Sequence, residues 1–166
     1  DDQIDLVCRV IEGNAKLESL EVHFFKAEVL KAISTNMHLK TLWIFDCDCH
    51  FPMLASCISN LPSLKSLMLR DVTLSEGSVS HLIAALPPQL ATIQLSLNIG
   101  LRFGCADVIS LLRRSNMQKI SILHNIDYSD GELREMLFLL ERHSSLTDIG
   151  LPINLNYLLD HDSWSL

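Results

Sequence analysis

Six segments of the chain share one apolar spacing, L-x-x-L-x-[LIV], with Ile or Met replacing some of the leucines. The anchors are Leu17, Leu20, Val22; Leu39, Leu42, Ile44; Leu64, Leu67, Leu69; Leu90, Ile93, Leu95; Met117, Ile120, Ile122; and Leu146, Ile149, Leu151. Successive first anchors are 22, 25, 26, 27 and 29 residues apart. Within each segment the last two anchors stand two residues apart, the period of a strand with one face buried. After each strand segment the spacing changes to three and four residues. Val29, Leu30, Ile33; Leu54, Cys57, Ile58, Leu61; Val79, Leu82, Ile83, Leu86; Val108, Leu111, Leu112; and Leu133, Met136, Leu137, Leu140 each form one apolar helix face. The chain therefore predicts strand–helix units, each too small to bury its apolar face without a neighbour.

Local signals support these boundaries. Ser129 and Glu132 form a capping-box pair, flanked by Tyr128 and Leu133 at the positions of a hydrophobic staple. Leu61-Pro62 and Leu86-Pro87-Pro88 stop their helices just before the next anchor. Ile4, Leu6, Val7, Val10 and Ile11 predict a helix ahead of the first strand, with no strand before it. The reading is a single domain over 1–166: the helix of a truncated unit in 1–16, six anchors across 17–151, and a terminal cap in 152–166. It expects the chain to be covalently part of a longer array, as its C-terminal portion.

The unit of about 25–29 residues resembles the ribonuclease-inhibitor-like class of leucine-rich repeats. The resemblance implies an α/β horseshoe solenoid: a concave parallel sheet of about six strands, with helices on the convex side. That class places Asn or Cys three residues beyond the third anchor, where the side chain bonds loop backbone. Cys47, Asn98, Asn125 and Asn154 fit, while Phe25 and Val72 do not, so irregular turns are expected after the first and third strands. Arrays of this kind also form the C-terminal sensing part of NOD-like receptors.

Composition narrows the chemistry. Hydrophobic residues are 48% and charged residues 20%, which suits a packed domain. The net charge of -7 disfavours a nucleic-acid partner, which calls for a basic stripe. No apolar run is long enough to cross a bilayer, so no membrane insertion is expected. Five cysteines, an odd number, with no N-x-[ST] acceptor favour free thiols and a cytoplasmic location. Asp46-Cys47-Asp48-Cys49-His50 suggests a metal site at first glance. C-x-C is a poor zinc spacing, however, and the unit pattern assigns Cys47 to the loop position and Cys49 to the next inward one. Arg113, Arg114 and Lys119 are read as cations at a helix end and on a strand. No catalytic triad, phosphate loop or paired His motif is present, so no enzyme activity, metal or cofactor is expected.

Function then moves to the residues between anchors, which point away from the core. Trp43, Phe45 and Met68 lie on adjacent strands, flanked by Glu21, His23 and Arg70. An apolar patch with Trp and Arg at a polar rim has the make-up of a protein-binding site. These six residues are the expected contact surface on the concave face. Strands nearer the C-terminus present Ser, Thr, Gln and Gly. The leading expectation is a non-catalytic protein-interaction module, the ligand-sensing or autoinhibitory array of a cytosolic immune receptor. The alternatives are a substrate-recognition arm of a ubiquitin ligase or of a bacterial effector, and an enzyme inhibitor.

Overall fold

The computed structural model describes residues 2–23, 26–74, 79–96, 98, 103–123, 126 and 128–151. The expectations for Phe25, Asn125, Asn154 and the cap over 152–166 lie outside them. Among the described residues the chain alternates helix and strand: α1 (Asp2–Gly13), β1 (Ser19–His23), α2 (Ala27–Ile33), β2 (Thr41–Cys49), α3 (Phe51–Ser59), β3 (Ser66–Leu74), α4 (Val79–Ala85), β4 (Thr92–Ser96), α5 (Cys105–Leu112), β5 (Lys119–Leu123), α6 (Asp130–Arg142) and β6 (Asp148–Gly150). The strands form one parallel sheet in the order β1-β2-β3-β4-β5-β6, open at both edges. Sequence neighbours are thus spatial neighbours. Strands contact the adjacent strands and helices the adjacent helices.

One backbone device sets the register. The carbonyl just after the first anchor of each unit accepts two N–H groups from the next strand's entry. Glu18 O receives Lys40 N and Thr41 N, Lys40 O receives Lys65 N and Ser66 N, and the pattern continues through Lys65, Ala91 and Gln118. As a result, like positions of successive units stand side by side. Leu42 pairs with Leu67, Leu67 with Ile93, and Ile93 with Ile120.

The anchors of β2 to β5 are all buried, and they share one hydrophobic core with the inward faces of α2 to α6. The edges differ. Leu17, Leu20, Leu146 and Leu151 are only half-buried, and Ile149 of β6 is 40% exposed. An edge strand has one neighbour, so its anchor is covered from one side only. On α1 the predicted apolar set splits: Ile11 is buried with Ile4 and Cys8 against the core, while Leu6, Val7 and Val10 are exposed.

At Val72, where an irregular turn was expected, the chain is strand. β2 and β3 both run nine residues and pair again beyond the anchors, Cys47 with Val72 and Cys49 with Leu74. Asp46 and Asp71 sit at φ 49° and φ 54°, the left-handed region that Asp tolerates better than most residues. Because both strands kink at the same step, they stay in register and the ladder resumes. Val72 therefore fills an inward strand position and is buried. Asn98 meets the loop-bonding expectation: its Oδ1 accepts from Val72 N at 3.0 Å and its Nδ2 donates to Leu69 O at 3.0 Å.

Candidate functional site

The face of the sheet opposite the core carries the residues between anchors. Glu21 pairs with Trp43 and Trp43 with Met68; His23 pairs with Phe45 and Phe45 with Arg70. These two rows across β1, β2 and β3 bring all six sequence-predicted residues onto one patch, with adjacent strands about 4.8 Å apart. Trp43 is 36% exposed, Phe45 and Met68 are half-buried, and Glu21, His23 and Arg70 are exposed.

A polar lattice holds the rim. The His23 ring lies against Phe45, with centroids 4.7 Å apart and planes 14° from parallel. His23 Nε2 is 2.8 Å from Glu21 Oε1, and its Nδ1 is 3.6 Å from Asp46 Oδ2. The hydrogen bond to Glu21, reinforced by the charges of Glu21 and Asp46, raises the His23 pKa above its ordinary value. Arg70 Nε donates to Asp71 Oδ2 at 3.3 Å. Asp46 and Asp71 are the members of this surface that strand alternation did not reveal. The signal was an Asp just past the third anchor, in a backbone conformation that turns its side chain off the strand's two-residue period.

The C-terminal half of the face is quieter. Lys119 pairs with Asp148 across β5 and β6, and Gly150 faces Ser121, whose Oγ would lie 3.2 Å from an added Cβ. Leu123 is exposed there.

Cys47 and Cys49 are both buried in the core. Burial pushes the Cys57 thiol up to about 12. Among the described residues no group of three or more His, Cys, Asp or Glu is arranged to hold a metal ion. Arg113 forms an ion pair with Glu135 of α6 at 2.6 Å, and Arg114 donates to the carbonyls of Leu86 and Pro87 one unit earlier. Both arginines brace neighbouring units. Among the described residues no helix is long and apolar enough to cross a membrane.

No protein-family model and no curated protein sequence matches the chain. Solved structures do. The tropomodulin C-terminal domain of Caenorhabditis elegans superimposes with a TM-score of 0.64 at 12% identity, covering 84% of this chain and 92% of that one. Leiomodin-1 actin-binding site 2 superimposes with a TM-score of 0.59 at 13% identity, covering 84% of this chain and 87% of that one. These likenesses overturn the resemblance expected from sequence. The neighbours are tropomodulin and leiomodin domains, not ribonuclease-inhibitor-like leucine-rich-repeat proteins. The same finding corrects the functional expectations of an immune-receptor array, a ubiquitin-ligase or effector recognition arm, and an enzyme inhibitor. The physical reason is that the anchor spacing reports which residues a strand and a helix bury. It carries no information about what the opposite face binds. By its fold, then, this chain is similar to the tropomodulin C-terminal domain and to an actin-binding site of leiomodin-1.

Proposed function

We propose that this chain is a non-catalytic protein-binding domain whose partner is actin. The observation that carries the reading is the superposition on leiomodin-1 actin-binding site 2 over 84% of the chain. The outward patch supports it: an exposed Trp and half-buried Phe and Met ringed by Glu21, His23 and Arg70 have the composition of an interface centre and rim. In this reading the six units coil as a solenoid arc, the sheet lines its concave side, and actin contacts Glu21, His23, Trp43, Phe45, Met68 and Arg70 there. The reading puts the chain in the cytoplasm. Its five cysteines are free thiols, which supports a reducing compartment.

The test is co-sedimentation with actin filaments, together with gel filtration against actin monomers. The parent chain is expected to bind one of the two forms. The double variant Trp43→Ala, Met68→Ala is expected to lose roughly tenfold or more in affinity, the size of effect seen when central aromatic anchors are truncated. Absence of binding to both actin forms overturns the partner. Unaltered affinity in a folded double variant overturns the site while leaving the partner standing.

A further inference from the structure

At the end of β2, Cys47 and Cys49 stand two residues apart on the same inward face of one strand, with their sulfurs 3.0 Å apart. Among the described residues they are the only two cysteines on a common strand. The segment is bounded on one side by Asp46 in the left-handed region and on the other by His50, directly before α3. Asp48 and His50 on either side of Cys49 are exposed, so the pair lies one residue below the surface.

We propose that Cys47 and Cys49 form a reversible modification site, closing to an intrachain disulfide on reaction with a low-molecular-weight disulfide such as oxidised glutathione. In the first step the Cys49 thiolate attacks one sulfur of the oxidant. A Cys49–glutathione bond forms, the oxidant's sulfur–sulfur bond breaks, and one glutathione thiolate leaves. In the second step the Cys47 thiolate attacks the Cys49 sulfur, forming the Cys47–Cys49 bond and releasing the second glutathione thiolate. Two electrons pass from the two cysteine sulfurs to the oxidant, and the two thiol protons end on the two glutathione thiolates.

Two physical features shape the reaction. The sulfurs are already in contact, so the second step has a very high effective concentration. The backbone opposes closure. An extended strand separates residues i and i+2 by about 6.6 Å, at the upper end of the Cα spacing of about 4.4–6.8 Å found in disulfides. Bridging therefore draws the strand in and strains it, which makes the bond easy to reduce again. Because both side chains are buried, the first step waits on local opening of the β2–α3 junction. Cys57 is also buried, but it lies on α3 and not on the strand that carries the pair. The inference does not depend on actin as the partner.

The experiment treats the full chain with oxidised glutathione, blocks remaining thiols with N-ethylmaleimide after unfolding, and weighs the product. The five thiols of the untreated chain are expected to fall to three, with no retained glutathione, and to return to five after dithiothreitol. Chymotryptic cleavage after Leu54 separates Cys57 from the pair and locates the bond. The Cys47→Ser variant is expected to stop at a stable glutathione adduct on Cys49. Five alkylated thiols after oxidation, an adduct that never resolves in the parent chain, or a bond to Cys8, Cys57 or Cys105 would each overturn the proposal. All the deciding outcomes are read on the parent chain, so a poorly folding variant does not blunt the test.

Discussion

His23 shows how much of one residue's environment is local and how much is not. Its place beside Glu21 follows from the two-residue period of β1, and its stacking partner Phe45 follows from the next strand's phase. Asp46 does not follow from either. It reaches His23 only because φ 49° swings its side chain out of the strand alternation and across to the neighbouring strand. The consequence is a pH dependence whose sign is set. The folded-state pKa of His23 is raised, first by the hydrogen bond to Glu21, above an unfolded value of about 6.5. Its ionic contribution to stability is therefore fully present below about pH 6.5 and is lost as pH rises through the higher folded value. Urea midpoints of the parent and of His23→Gln, compared from about pH 5.5 to 8.5, are expected to differ most at the acid end. The gap should narrow with rising pH to the offset left by the lost ring stacking. A gap independent of pH would show that His23 is not coupled to its carboxylates.

Elements were legible wherever their signals are contained within a few residues. The start of α6 is the clearest case. Ser129 Oγ accepts from Glu132 N at 3.4 Å while the Glu132 carboxylate accepts from Ser129 N at 2.9 Å, the reciprocal pair that the sequence spelled out. Replacing Ser129 with Ala removes the cap and is expected to cost about 1 kcal/mol, measured by chemical denaturation. A loss below roughly 0.3 kcal/mol would show that α6 is held by packing of Leu133 and Met136 alone. The α5 start uses half of the same device, Asp107 accepting from Gly104 N at 3.0 Å. Less legible was the length of β2 and β3. Sequence rules placed a turn at Val72, because a turn is judged from the residue types in one segment. Here two strands share one kink at Asp46 and Asp71, and each makes the other's continuation possible.

At the scale of the whole molecule the sheet order makes stability a matter of neighbours. Among the described residues each inner strand lies between two others, while β1 and β6 each pair with one. Leu67, in the middle of the sheet and fully buried, is expected to cost about 2–5 kcal/mol when cut to Ala. Ile149, the equivalent anchor on β6 and 40% exposed, is expected to cost under about 1 kcal/mol for the same truncation, because its partial exposure already forfeits much of the burial. Equal losses at the two positions in a denaturant titration would mean that β6 is as well covered as the centre. By itself the sequence determined the number of strand–helix units, the inward faces of β2 to β5 and α2 to α5, and the six outward residues of the N-terminal patch. Those properties rest on periods of two and of three to four residues, which each segment carries alone. Only the tertiary structure decided what depends on residues a unit or more apart. It placed Asp46 against His23 and seated Arg114 on the preceding unit's carbonyls. It used Asn98 to tie the backbone at Leu69 and Val72, and it left Ile149 40% exposed. The likeness to the tropomodulin and leiomodin-1 domains also belongs to the tertiary structure, because at 12% and 13% identity it lies in how the units pack and not in the residue sequence.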